Sequence, residues 1–297
     1  MYQFFDPFWT RFPWPATNRV RVDEMVPGVK RVRLVRAYRG QEIVPVFFYM
    51  VGDTAVDTGM PAARDEVVAI AREHELRRVV LTHHHEDHAG NAGPLQEAGL
   101  EVVAPPLTAR LLAEDLPVPF YQHMAWGRMR PARLGTYEGR VRIGSYEAEV
   151  LPAPGHAVDQ VVLYIPEKRW LFSGDVLIHE RVKAFRGDED FAASLETLER
   201  LVELEIDVLF CGHRPVAENG GAALARKLEW FRQIEEGVRR LDAEGYGYGE
   251  IIQRLGIEAR GPITFFSMGD ASTRNMVRSI LKGPRPRREL RRILAAG

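Results

Sequence analysis

The sequence predicts an α/β fold, a four-layer αβ/βα sandwich followed by a C-terminal helical appendage. Two observations support this prediction. Strand-like apolar runs and helix-like amphipathic runs follow each other as two successive β-then-α halves. Residues able to bind metal stand directly after several of the strand-like runs. We therefore expect one sandwich over residues 1–218, with ligands on loops at one sheet edge, and the appendage over residues 219–297.

The first half begins with a sheet. Residues 29–35 and 44–51 are rich in valine and aromatic side chains, as strands are. A helix-like stretch follows at 61–75, then an apolar strand at 79–81 and a short strand at 102–104.

The second half repeats this order. Residues 141–151 alternate as a strand does, and 161–165 with 170–172 form a predicted hairpin that turns at 166–168. An amphipathic helix at 194–205 precedes the strand 208–211. Apolar residues recur every three or four positions over 220–243, and 248–255 and 271–281 predict two further helices of the appendage.

Composition limits the class of protein. The chain has 297 residues, of which 45% are hydrophobic, and a net charge of −1, which disfavours a generally basic nucleic-acid binder. No apolar run reaches membrane-spanning length and the N-terminus lacks the pattern of a signal peptide, so we expect a cytoplasmic protein without membrane contact. The single cysteine, Cys211, excludes an internal disulfide framework and is interpreted as a core residue.

The most informative motif is Thr-His-His-His-Glu-Asp-His-Ala-Gly at residues 82–90. In an extended backbone His83 and His85 project to the same side and can share one ion. A turn into a helix near Asp87 would aim Asp87 and His88 at a second ion. Imidazole and carboxylate suit zinc, and also iron or manganese. A histidine-rich surface loop is the alternative interpretation.

Three later segments support a metal site. His156, Asp175 and His213 each follow a glycine that stands at a turn or after a strand-like run. Together with Asp57 and residues 83–88, they resemble the motif set of the metallo-β-lactamase-fold hydrolases, the superfamily that includes glyoxalase II. The resemblance covers about residues 40–215.

This resemblance implies roles for individual residues. His83, His85 and His156 would hold one divalent ion, Asp87, His88 and His213 a second, and Asp175 would bridge them. Asp57 would steady the ligand loops without binding metal, although a turn-forming aspartate explains it equally well. Asp87 would also guide a proton to the leaving group.

The expected chemistry is hydrolysis by a hydroxide that bridges two divalent ions, most simply two Zn²⁺. The charge of two such ions exceeds that of Asp87, Asp175 and one hydroxide, so the expected partner is an anionic small molecule. We favour a thioester, a carboxylic ester or a lactone as the substrate.

Other functions are compatible with the same motifs. A phosphodiesterase or ribonuclease is the first alternative, supported by the basic tail at 285–292. The others are a persulfide dioxygenase-like oxidoreductase with one iron and a non-catalytic, metal-stabilised binding protein.

Substrate contacts are expected in three places. The irregular aromatic segment 116–134 contains Tyr121 and Trp126, and either covers the metal site or packs on its own domain. His179 follows Asp175 closely enough to reach a substrate. The aromatic N-terminus, from Phe4 to Trp14, could cap the site or a neighbouring subunit of a homo-oligomer, and packing on its own domain is the plainer interpretation.

Overall fold

The structure is a computed structural model that describes residues 16–38, 40–182, 184–216, 218–257 and 267–295. The aromatic N-terminal segment named above lies outside these ranges. Its capping role therefore stays a prediction.

The first sheet runs in the order β1-β2-β4-β5-β6-β7-β8, with β3 paired to β2. Its strands are β1 (Ala16–Val26), β2 (Val29–Tyr38), β3 (Gln41–Glu42), β4 (Val46–Val51), β5 (Thr54–Val56), β6 (Arg78–Val80), β7 (Glu101–Ala104) and β8 (Gly135–Thr136). Strands β5 and β6 are parallel. Asp57 and the loop after β6 consequently leave the sheet at the same edge.

The second sheet runs in the order β13-β12-β11-β10-β9. Its strands are β9 (Arg140–Ile143), β10 (Tyr146–Pro152), β11 (Val161–Ile165), β12 (Trp170–Gly174) and β13 (Val208–Cys211). Strand β11 is antiparallel to both β10 and β12, and β12 is parallel to β13. The ends of β10, β12 and β13 therefore lie at one edge, which is where His156, Asp175 and His213 follow.

Ten helices lie within the described ranges, and most of them cover the outer faces of the two sheets. They are α1 (Arg64–Glu73), α2 (Glu86–Ala89), α3 (Ala92–Glu97), α4 (Pro106–Leu112), α5 (Phe120–Trp126), α6 (Phe191–Leu201), α7 (Gly220–Ala243), α8 (Tyr248–Leu255), α9 (Thr273–Lys282) and α10 (Arg288–Ala295), with 3₁₀ turns at Pro61–Ala63 and Pro166–Lys168. No helix within the described ranges is long and apolar enough to cross a membrane.

Three apolar clusters hold the layers together. One joins the first sheet to α1, α3 and α4, one fills the space between the two sheets, and one joins the second sheet to α6, α7, α8 and α9. This arrangement confirms the predicted four-layer αβ/βα sandwich. The predicted appendage shares its core with the second sheet, through Leu224 and Phe231 of α7 and Leu209 of β13. The boundary between residues 218 and 219 stays a prediction.

Some local elements differ from the sequence prediction. Strand β1 was not predicted. Polar residues alternate with Val20 and Val22 as in a strand, but both valines remain 36% exposed, so the alternation does not mark a buried face. The predicted strand 141–151 is a hairpin that turns at Gly144, where φ is +57°. The irregular segment 116–134 contains the short helix α5, which begins after Pro119.

Candidate metal centre

Three histidines meet at the edge of the two sheets. In the loop after β6, His85 has an extended backbone, with φ of −61° and ψ of 147°, and stands directly before α2. His83 Nε2 lies 3.0 Å from His85 Nδ1. The loop after β10 brings His156 Nε2 to 3.0 Å from the same His85 atom. We call these residues the three-histidine group, and their potential ligand atoms all lie within 4.8 Å of one another.

A second group lies beside the first and consists of Asp87, His88, Asp175 and His213. His213 Nε2 lies 3.2 Å from Asp87 Oδ2 and 3.3 Å from Asp175 Oδ2. Asp175 Oδ2 also lies 3.4 Å from His156 Nε2. Asp175 thus has an oxygen close to histidines of both groups. We call this set the aspartate-histidine group.

The donor set fits divalent cations. His88 Nε2 and Asp175 Oδ1 are buried 3.2 Å apart, yet neither makes a hydrogen bond. A side chain at Gly212 would fill the space between them, since its Cβ would lie 2.7 Å from both atoms. Buried polar atoms without partners are costly unless a ligand satisfies them. Imidazole nitrogens and carboxylate oxygens at this density are typical of zinc sites.

The electrostatics of the two groups differ. Burial lowers the pKa of His83 and His85 well below the usual value, and the nearby Arg186 guanidinium lowers the pKa of His85 further. Both rings are therefore neutral, as metal ligands must be. Burial acts against protonation of His88 as well, but the carboxylates of Asp175 and Asp57 raise its pKa well above the usual value. The aspartate-histidine group therefore attracts positive charge.

Hydrogen bonds behind the candidate ligands fix the rings. Asp57 accepts from His88 Nδ1 at 2.8 Å and from the backbone N–H of Thr82 at 2.8 Å. His213 Nδ1 donates to the carbonyl oxygen of Pro45 at 2.9 Å. Asp57 thus contacts both the ligand loop and one ligand ring, although it lies outside both ligand groups. Outer contacts of this kind orient ligands and tune metal affinity.

Charged residues from the loop after β12 complete the surroundings of the three-histidine group. Arg186 Nη2 lies 2.6 Å from His85 Nε2, and Glu189 Oε2 lies 3.5 Å from His156 Nδ1. Arg186 is itself paired with Asp188 at 3.2 Å. These residues were not predicted from the sequence, because they stand in a loop without a recognisable motif.

The predicted substrate contacts lie at different distances from the centre. The Trp126 ring stacks on the His213 ring, with centroids 6.1 Å apart and planes inclined by 29°. The Tyr121 hydroxyl donates to Asp270 Oδ2 at 2.9 Å, which ties α5 to the segment before α9. His179 is exposed on the loop after Asp175.

A pocket opens beside His85. Its wall includes Glu86 and Gln122, whose Oε1 atoms are buried without hydrogen-bond partners. Residues of α10 and of the segment before α5 also line it, so the C-terminal end of the described chain covers this approach to the centre. Glu86 lies inside the predicted motif but was not expected to face a cavity, because spacing alone does not show this orientation.

Comparisons with known proteins agree with the fold. The family model described as the metallo-beta-lactamase superfamily matches residues 55–213. A hydroxyacylglutathione hydrolase from Cereibacter sphaeroides (strain ATCC 17025 / ATH 2.4.3) is 32% identical over 183 residues, which are 60% of this chain and 64% of the relative. One from Rhodopseudomonas palustris (strain BisB5) is 31% identical over 169 residues, 55% of this chain and 59% of the relative. The chain thus spans less than two thirds of the length of these relatives.

Solved structures show the same fold. A metallo-beta-lactamase family protein from Thermus thermophilus superimposes with a TM-score of 0.61 at 22% identity, and the match covers 88% of this chain and 95% of that chain. At this identity the likeness concerns the fold alone. It agrees with the two-sheet architecture described above.

Proposed function

Because the chain belongs to the metallo-beta-lactamase superfamily, we propose that it is a metal-dependent hydrolase with two divalent ions, and that it cleaves a thioester, a carboxylic ester or a lactone of a small anionic molecule. The observation that carries the proposal is the convergence of seven potential metal ligands in two neighbouring groups, with Asp175 of the second group also in contact with His156 of the first. The names of the curated relatives support the thioester among these substrates.

Each residue has a distinct part in the proposed centre. His83, His85 and His156 would hold one Zn²⁺, and Asp87, His88 and His213 the other. Asp175 would bridge the two ions, since one of its oxygens faces both groups. Asp57 would keep the ring of His88 in its liganding orientation through the 2.8 Å hydrogen bond.

Zinc bound in such a centre supplies Lewis acidity and a water molecule whose pKa is lowered to about 7. The protein side chains would supply proton transfer and the contacts with the substrate. Asp87, whose Oδ2 lies 3.2 Å from His213 Nε2, would pass a proton toward the leaving group. Trp126, which stacks on His213, would cover that side of the centre. The part of the substrate that is not cleaved would lie against the residues that line the pocket beside His85.

A substrate panel tests the proposal. Thioesters, lactones, phosphodiesters and RNA are offered to the zinc-loaded protein and to His213→Ala. We expect hydrolysis of at least one carbonyl substrate, reduced at least about 100-fold in the variant because the second ion loses a ligand. Turnover of phosphodiesters or RNA alone would contradict the substrate class. Equal turnover by His213→Ala would contradict the two-ion centre.

A further inference from the structure

Asp159 is a buried carboxylate that none of the proposed chemical steps uses. Its side chain is fully inaccessible, and it accepts three hydrogen bonds. Oδ2 accepts from the backbone N–H of His84 at 2.9 Å and from Thr108 Oγ1 at 2.7 Å, while Oδ1 accepts from His84 Nδ1 at 2.7 Å. Because a carboxylate only accepts, His84 Nδ1 carries the proton of this bond.

The location of Asp159 links two ligand loops. It stands three residues after His156, in the loop between β10 and β11. Its partner His84 stands between His83 and His85, and the bond to the His84 N–H fixes the peptide that joins His83 to His84. A further backbone bond, from Val161 to the carbonyl of Thr82 at 3.1 Å, brings the same two segments together. The contacts therefore span the two loops that form the three-histidine group.

We propose that Asp159 is a positioning residue that couples the His156 loop to the His83–His85 loop and so sets the affinity of the three-histidine group for its ion. The inference rests on the metal centre of the proposed function. Asp159 bonds to His84, which stands between two ligands of the three-histidine group, and in none of these bonds to a residue of the aspartate-histidine group. Its effect should consequently fall on one of the two ions.

Asp159→Asn is a sharp test because both carboxylate oxygens accept hydrogen bonds. An amide nitrogen in place of Oδ2 would face the His84 N–H and the Thr108 hydroxyl and lose its bond to the N–H, and one in place of Oδ1 would keep its bond only as a donor, which forces the proton of the His84 ring from Nδ1 to Nε2. Removal of such an outer contact typically weakens metal binding about 10- to 100-fold. Thr108→Val removes one of the three bonds and should weaken binding less. His84→Asn keeps a side-chain donor near the Nδ1 position, whereas His84→Leu removes it, so only the former should retain the affinity.

The experiment measures Zn²⁺ affinity by competition with a chromophoric chelator, in two backgrounds. In His213→Ala the three-histidine group remains intact, and Asp159→Asn should weaken its affinity for zinc about 10- to 100-fold. In His156→Ala the aspartate-histidine group remains intact, and the same substitution should change its affinity by less than about threefold, because Asp159 does not contact it. Ile251→Val, buried in the core around α8, is the control for lowered stability alone.

Two results would overturn the coupling role. One is an unchanged zinc affinity when Asp159→Asn is added to His213→Ala. The other is an equal loss in both backgrounds, or an equal loss in Ile251→Val, since either would indicate a general effect on stability. A wild-type chain that binds no zinc would instead overturn the metal centre itself, so the two failures are distinguishable.

Discussion

Trp126 is the aromatic side chain that stacks on a proposed ligand, and it tests whether α5 contributes to substrate binding. Its ring is half-buried over His213. An aromatic contact of this kind contributes about 0.5–1.5 kcal/mol beyond the buried area. A substrate contact of the same strength would mean that Trp126→Ala raises KM roughly 2- to 13-fold while the zinc content stays at the wild-type value. Steady-state kinetics and metal analysis measure the two quantities.

Trp230→Ala is the matched control, because Trp230 is also half-buried but packs on the core around α7. It should lower thermal stability without a selective rise in KM. A Trp126→Ala enzyme with wild-type KM would show that the residues of α5 only pack on their own domain, which is the alternative that the sequence left open.

Glu86 gives a pH-dependent prediction for the metal-depleted protein. Burial, and then the charge of Asp87, raise the pKa of the Glu86 carboxyl from 4.5 to about 7. Between these values the folded protein keeps a proton that the unfolded chain has released, so the free energy of unfolding falls as the pH rises. Glu86→Gln stays neutral over this range. Its free energy of unfolding relative to wild type should therefore rise by on the order of 1–3 kcal/mol between pH 4.5 and pH 7.

Chemical denaturation at several pH values measures this difference. Glu167 is exposed and serves as the control. The free energy of unfolding of Glu167→Gln relative to wild type should not change over the same pH interval. A constant difference between Glu86→Gln and wild type from pH 4.5 to pH 7 would mean that the Glu86 carboxyl is not held protonated.

At the residue scale, the sequence predicted the candidate ligands because they follow strands in short, recognisable motifs. Local spacing placed His83 and His85 on one face, and the resemblance added His156 and His213. Arg186 could not be predicted, because its contact with His85 joins residues 101 positions apart. Asp159 carried a weak signal, as an aspartate three residues after a candidate ligand, but its partner His84 is visible only in the fold.

Among the elements, α6 supports the loop that carries His156. The loop carbonyl of Gly155 accepts from the backbone N–H of Asp190 at 2.8 Å, and Thr197 of α6 donates to the Pro154 carbonyl at 2.8 Å. Gly155 has a φ of +138°, and a Cβ there would lie 2.6 Å from Ser194 Cα. A glycine is therefore required for the loop to rest on the helix.

Gly155→Ala should separate the loop from α6. We expect a loss of about 1–3 kcal/mol in the free energy of unfolding and weaker zinc binding in the His213→Ala background. Gly99→Ala is the matched control, since Gly99 also has a positive φ of +94° but no atom within 4 Å of the added Cβ. Equal stability and equal zinc affinity in the two variants would contradict this role of the α6 contact.

The elements with the clearest pattern of buried apolar residues were predicted most accurately. Strand β13 (Val208–Cys211) and helices α7 and α8 have the predicted bounds, because continuous apolar runs or a clear helical period define them. Helix α6 begins at Phe191, earlier than the predicted residue 194, because Asp190 caps it by accepting from the Ala193 N–H. Strand β1 has no continuous apolar run, and most of its residues are exposed or half-buried. Its pairing with β2 defines it as a strand.

At the scale of the whole molecule, the centre lies at the edge where the two β-then-α halves meet. This is why the residues that build it are spread along the chain from Asp57 to His213. The C-terminal helices contribute core to the second sheet and, with α10, one wall of the pocket beside His85. Two arginines at the basic C-terminal end form ion pairs within the chain, Arg287 with Asp270 and Arg292 with Glu114. These pairs add no support for a nucleic-acid substrate.

The most direct test of the two-ion hydrolase is a zinc titration of the metal-depleted protein, with the initial rate of thioester hydrolysis followed at each addition. The proposed centre predicts negligible turnover without metal and a rate that rises until about two equivalents of Zn²⁺ per chain are bound. Turnover that survives complete metal removal would contradict the account. So would a protein that needs one iron and consumes oxygen in place of water.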